Sequence, residues 1–256
     1  MTIHPRVPQA EIHVDGVVDG MTVVSFRLAH GELPDLGLRA RGWEPVQPKN
    51  VVGQEDPHEL RLVYDVHARD GLADDAPYSE PTSSRVRRDD DLVVVPGEEA
   101  VPYQRVAVYG IVTSARGVLL ARFADSTNAS GEWGLVGGGV DPGELPLEAL
   151  HREVWEESGQ VVKVTGLATI TSSHWVGRAP RGRLEDFHAV RIAYWAHCAE
   201  PTDPVVHDVG GTTAESAWVP AADVASVALV SSWAVELPQL LAERDGRARP
   251  STAEHS

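Results

Sequence analysis

The chain has 256 residues, of which 42% are hydrophobic and 23% charged, enough to bury the core of one large domain or two smaller ones. A formal net charge of −16 excludes a general binder of nucleic-acid polymers, which needs basic surface to displace counterions. It does not exclude a phosphate-bearing small molecule, because bound cations reverse the local sign.

The amino terminus, MTIHPRVPQAEIHVDG, lacks the basic and apolar regions of a signal peptide, and no apolar run reaches the roughly 18–20 residues of a membrane span. The expected location is therefore the cytoplasm, with no membrane partner. Residues 1–98 read as a smaller, β-rich domain. Met21–Leu28 is β-branched and bounded by glycine, and Leu60, Leu62, Tyr64 and Val66 alternate with Arg61, Val63, Asp65 and His67 as on a half-buried strand. Gly37–Trp43 and Asp91–Val95 are weaker strand candidates, and Pro45–Pro57 and Gly71–Ser84 read as turn-rich loops. Arg85, Arg87 and Arg88 run into Asp89, Asp90 and Asp91, which suits a solvated surface. Two roles remain open for this domain: a packing or homodimerisation module, or one that lends side chains to a pocket of its own or a partner chain.

Pro96–Pro102 reads as a linker into a second domain over residues 99–245. Gln104–Ser114 and Val118–Phe123 predict a hairpin turning at Arg116-Gly117, and Trp133–Val136 a short strand after the polar loop Asp125–Glu132. Val161–Thr171 and Phe187–Cys198 predict two further strands around a loop at His174–Asp186, and Glu215–Val219 one more. The lone cysteine, Cys198, precludes an intrachain disulfide and suits a buried thiol, and no Cys/His set has structural zinc spacing. Ala221–Ala234 and Val235–Arg244 have helical composition, with Pro238 starting or kinking a helix. Gly246–Ser256 is expected to be a disordered tail.

The stretch Gly137–Gly159, GGGVDPGELPLEALHREVWEESG, concentrates the chemistry. Pro146 suits the first position of a helix, Gly159 suits its C′ position, and Leu147, Leu150 and Val154 predict its core-facing stripe. Glu153, Glu156 and Glu157 then share one face at i, i+3 and i+4. Like charges at this spacing repel by a few tenths of a kcal/mol per pair, and a divalent cation is the economical neutraliser.

This stretch resembles the signature box of the Nudix hydrolases, G-x5-E-x7-R-E-U-x-E-E-x-G-U with U apolar. Gly138, Glu144, Arg152, Glu153, Val154, Glu156, Glu157 and Gly159 match at the right spacing. Gln160 stands where the family usually has an aliphatic residue, and WGLVGGG has Val136 in place of the usual proline. The resemblance covers roughly residues 103–243. It implies an α/β/α sandwich with a mixed sheet, and hydrolysis of a nucleoside diphosphate linked to another moiety. The substrate would be a small nucleotide: a nucleotide sugar such as ADP-ribose, a nucleoside triphosphate or a dinucleotide cofactor.

By the same resemblance Glu153, Glu156 and Glu157 are metal ligands, and Gly138 and Glu144 belong to the same metal site, Glu144 either tying down the glycine loop or adding a ligand through water. Glu153 or a later glutamate such as Glu215 would be the base, and Arg152 would orient Glu153. Oxygen donors one helical turn apart suit Mg²⁺, with Mn²⁺ as the alternative. In the His174–Asp186 segment, Trp175 offers a stacking face for a nucleobase and Arg178, Arg181 and Arg183 offer cations for phosphate. His174, His188 and Trp133 read as structural. A rival from another class is a non-catalytic nucleotide sensor, which has no need of the metal glutamates this chain retains. A scaffold protein gives no reason for the Arg-Glu-x-x-Glu-Glu arrangement.

Overall fold

The computed structural model describes residues 10–55, 58–69, 86–88, 92–179 and 182–248. The chain divides into two compact units that do not follow chain order. Met1–Tyr109, Gly137–Arg152 and Thr165–Tyr194 form the first, and Gly110–Val136, Glu153–Val164 and Trp195–Ser256 the second.

In the first unit, β1 (Glu11–Val18), β2 (Met21–Arg27), β3 (Trp43–Gln54) and β4 (Glu59–Ala68) form a four-stranded sheet in the order β2-β1-β4-β3. β1 lies inside it, antiparallel to β2 and parallel to β4. It is buried almost throughout and lacks the alternation that marks a half-buried strand. β4 keeps that alternation, with Leu60, Leu62, Tyr64 and Val66 all in the core.

Several local expectations fail for identifiable reasons. Gly37–Trp43 is no strand, because α1 (Pro34–Ala40) starts on a proline at its first turn, and Gly42 turns the chain at φ 87° into β3. Pro45–Gln54 is strand rather than loop. β3 is an edge strand, where proline's missing N–H is tolerated, and its register shifts between Pro45 and Gln47 and between Pro48 and Asn50. Leu92–Val95 forms no strand, while Arg87–Arg88 (β5) adds to the second sheet. Gly71–Ser84, Arg85 and Asp89–Asp91 lie outside the described residues.

The second sheet contains β5, β6 (Val101–Ser114), β7 (Gly117–Phe123), β8 (Trp133–Gly139), β9 (Lys163–Arg178), β10 (Leu184–His197) and β11 (Thr213–Val219), in the order β11-β7-β8-β6-β10-β9-β5. It is mixed: β7 is antiparallel to β6, β8 and β11, and β5 is parallel to β9. With the helices α2 (Pro146–Ser158) and α3 (Glu236–Ala248) it gives the expected α/β class, preceded by a separate sheet.

β6 already begins inside the expected linker, and His174–Arg178 and Leu184–Asp186 belong to β9 and β10 rather than to a loop. In Ala221–Ala234 only Ala221–Ser226 coils, as a 3₁₀ turn. Beyond it the Ala228 carbonyl accepts from Trp133 N–H and Val230 N–H donates to the Trp133 carbonyl, which draws the segment out of helix. Pro238 sits in the first turn of α3, where its missing N–H costs nothing. α3 extends through Ala248, so Gly246–Ala248 is not tail, and residues 249–256 lie outside the described ones. Among the described residues no helix is long and apolar enough to cross a membrane.

The buried face of α2 is set by Ala149, Leu150 and Val154, while the expected Leu147 is 44% exposed. Leu150 and Val154 thus hold the expected stripe, with Ala149 in place of Leu147, and Glu157 falls on its buried side. Just before the helix, Gly137 has φ 145°, and a Cβ there would stand 2.1 Å from the Val108 carbonyl oxygen and 2.7 Å from Tyr109 Cα. Gly137→Ala is expected to lower stability by about 2–4 kcal/mol in urea denaturation. Gly166→Ala, where an added Cβ meets nothing within 4 Å, should change it by less than about 1 kcal/mol. Equal midpoints for the two variants would contradict this close approach.

Candidate active site

The loop between β8 and α2 is held by polar groups of the first unit. Arg152 Nε and Nη2 each donate to one oxygen of Glu144 at 2.8 Å, and Nη2 also donates to the Gly139 carbonyl at 3.0 Å. This bidentate pair is the strong form of a charge-assisted bond. It holds the Glu144 carboxyl below the usual carboxylate range, helped by Asp141 N–H, which donates to it at 3.0 Å. Leu145 brings no capping side chain, but Glu148 accepts from Leu145 N–H at 3.1 Å, which is one half of a capping box.

The amino-terminal region supplies a further brace that the sequence pattern does not announce. His58, just ahead of β4, accepts from Gly143 N–H at Nδ1 (3.2 Å), so its Nε2–H donates to the Glu144 carbonyl at 3.1 Å. Gly53 lies so close to Leu145 that a Cβ would come within 2.9 Å of Leu145 Cδ2. A lone histidine 85 residues upstream of its contact carries no local signal, and only the fold reveals it.

In the second unit, α2 continues with Glu153 and Glu156 half-buried and Glu157 buried. Thr213 Oγ1 donates to the Glu157 carboxylate, and Ser216 Oγ donates to the Glu157 carbonyl at 2.7 Å. The helix stops where expected: Gly159 adopts φ 66° and its N–H donates to the Trp155 carbonyl at 2.8 Å. Gln160, at the family's aliphatic position, is buried yet satisfied. It donates to the Ser158 carbonyl and to Thr202 Oγ1, and it accepts from Thr202 N–H and the Cys198 thiol. Burial pushes that thiol's pKa up, as suits an unreactive cysteine.

The other residues singled out in the sequence fall in different settings. Glu215 lies opposite Arg122 on the β11/β7 ladder, and the Arg122 guanidinium at 2.8 Å lowers its pKa. Arg178 grips both oxygens of Glu98 at 2.8 and 2.7 Å and donates to the carbonyls of Val93 and Gly182. Arg183 pairs with the buried Glu185. Arg181 lies outside the described residues. Trp175 is half-buried, its ring 5.5 Å from that of Phe187, which in turn is 5.5 Å from Tyr103. His188 is fully buried with Gln104 and Ser172 on its two nitrogens, and burial above all depresses its pKa to about 4, keeping it neutral.

A family model described as a NUDIX domain matches residues 103–241. The nucleoside triphosphatase NudI of Escherichia coli (strain SMS-3-5 / SECEC) is 33% identical over 94 residues, covering 36% of this chain and 67% of that protein. Among solved structures, the MutT protein of Methanosarcina mazei Go1 is 20% identical, with a TM-score of 0.42, and covers 58% of this chain and 97% of its own. The NUDIX domain of Shewanella oneidensis NrtR, in complex with ADP ribose, is also 20% identical, with a TM-score of 0.43 over 56% of this chain and 88% of its own.

The Arg152–Glu144 pair makes a pH prediction. Glu144 has a lower pKa folded than unfolded, so its contribution is fully present above the unfolded carboxylate value of about 4.3 and is lost as pH falls through the folded value. Glu144→Gln should cost about 1–3 kcal/mol at neutral pH. In thermal melts taken from about pH 7 down to about pH 2, the gap between wild type and variant should close in acid. A gap that stays constant would show that the carboxylate charge contributes nothing.

Proposed function

The chain belongs to the NUDIX domain family, and from that premise we propose that it is a Mg²⁺-dependent pyrophosphohydrolase acting on a small nucleotide. One observation carries the proposal: a single helix, α2, bears Glu153, Glu156 and Glu157 at i, i+3 and i+4, directly after the arginine that clamps the glycine-rich loop. The donor set fits the ion. Ionised carboxylates offer only oxygen, which suits Mg²⁺ or Mn²⁺, and Thr213 fixes the orientation of the most buried of the three. When bound, the cation screens the pyrophosphate charge, polarises a phosphoryl oxygen and lowers the pKa of the water that attacks phosphorus.

The chain's own groups divide the remaining work. Glu153, Glu156 and Glu157 hold the ion. Glu144 and Arg152 hold the loop at Gly139, with Gly138 leaving room at its edge. For the base we favour Glu153 over Glu215, because Glu215 is already engaged by the Arg122 guanidinium at 2.8 Å while Glu153 stands on α2 beside the other two glutamates. Arg178 and Arg183 already satisfy Glu98 and Glu185, so phosphate recognition by them would break existing pairs. Trp175, half-buried beside Phe187 and Tyr103 and not engaged in an ion pair, is the remaining candidate for stacking a nucleobase. Likeness to NudI favours a nucleoside triphosphate as substrate, ahead of a nucleotide sugar such as ADP-ribose.

A nucleotide panel incubated with and without Mg²⁺, with products identified by mass, tests the reading. Wild type should release pyrophosphate or nucleoside monophosphate only with the metal. Glu156→Gln and Glu157→Gln should each lower kcat/KM by about 10²–10⁴-fold, a loss of about 3–5 kcal/mol of transition-state stabilisation. Turnover that survives either substitution, or that needs no divalent ion, would overturn it.

A further inference from the structure

A second set of cation-binding groups lies in the first unit, among residues with no part in the proposed hydrolysis. His30 stands on the turn after β2, His174 on β9 and Asp186 on β10, and each offers a ligand atom within 4.8 Å of the other two. Asp186 Oδ1 is the shared partner, 3.2 Å from His30 Nε2 and also in contact with His174 Nε2. The two imidazoles meet edge to face with centroids 5.3 Å apart.

The arrangement is built before any ligand arrives. The turn carrying His30 is closed on itself, with Ala29 N–H donating to Glu32 Oε2 at 2.9 Å and Glu32 N–H to the Ala29 carbonyl at 3.1 Å. Gly31, at φ 77°, lets this backbone lie on His174: a Cβ there would come within 2.6 Å of ring atoms Cε1 and Nδ1. His188 packs behind at 5.7 and 6.2 Å from the other two rings, with both its nitrogens already taken.

With both rings protonated at Nε2, Asp186 Oδ1 accepts from both; with both bare there, the same three atoms form a ligand set of two imidazoles and one carboxylate. Two ligands of a tetrahedral ion with bonds of about 2.0–2.1 Å stand roughly 3.3 Å apart, close to the His30–Asp186 separation of 3.2 Å, and the tighter His174–Asp186 contact would open to admit the ion. His30 and Asp186 are 28% and 26% exposed, so water reaches the remaining coordination position.

We propose that His30, His174 and Asp186 form a binding site for a borderline-soft divalent cation, Zn²⁺, through the two Nε2 atoms and Oδ1, with water as fourth ligand. Two imidazoles with one carboxylate favour Zn²⁺ over Mg²⁺, which sets this site apart from the all-carboxylate face of α2. The ion would pin the His30 turn of the amino-terminal region to β9 and β10.

The test uses the untagged 256-residue chain in excess Mg²⁺, titrated with Zn²⁺ against a chromogenic chelator and, separately, with Co²⁺ followed by visible absorption. One saturable equivalent of Zn²⁺ is expected, with tetrahedral Co²⁺ bands and a melting temperature that rises with Zn²⁺ concentration. His30→Gln, at an exposed position, and Asp186→Asn should each weaken binding at least about tenfold while circular dichroism stays that of the wild type. No saturable equivalent, displacement of Zn²⁺ by Mg²⁺, or affinity unchanged in both folded variants would reduce the cluster to a hydrogen-bonded one and overturn the proposal.

Discussion

Arg152 places two nitrogens on the Glu144 carboxylate at 2.8 Å and a third contact on the Gly139 carbonyl, and the glycine-rich loop takes its form from that clamp. A loop with glycines at 137, 138, 139 and 143 has little conformational preference of its own, because residues without Cβ visit most of φ/ψ space. Fixing it needs directional bonds, and a guanidinium fork gripping a carboxylate supplies them. His58 adds two more from the amino-terminal region, so a residue outside the family match takes part in holding the family's loop.

The acidic residues of the box therefore have separate duties. Glu144 is an ion-pair partner of Arg152, with its charge secured against protonation near neutrality. Glu157 lies on the buried side of α2, anchored by Thr213, while Glu153 and Glu156 stand in half-buried positions one turn apart. Three carboxylates gathered with one buried are the oxygen donors of the proposed site, and an ion bound there would offset the repulsion the helix otherwise carries.

How much of this the chain announces depends on whether the cause is local. The ends of α2 are legible because Pro146 and Gly159 act through their own backbone geometry, and the alternation of β4 is legible because one side of it faces the core. The buried stripe of α2 is legible at Leu150 and Val154 and misread only at Leu147, since the packing selects the smaller Ala149. β1 and β3 escape for opposite reasons: one is buried nearly throughout and shows no alternation, and the other tolerates prolines as an edge strand. The partners of Arg178, Arg183 and His58, and the meeting of His30 with His174 and Asp186, join residues far apart in the chain or across strands. Local patterns carry no trace of such pairings.

On the proposed reading, α2 holds a divalent ion through its glutamates. Electron paramagnetic resonance of Mn²⁺ titrated into the nucleotide-free protein tests it without any assumption about substrate. The free-ion signal should be quenched by saturable binding in the wild type, and the quenching should be largely lost in a folded Glu153→Gln/Glu156→Gln variant. Equal quenching by that variant and the wild type would contradict the account.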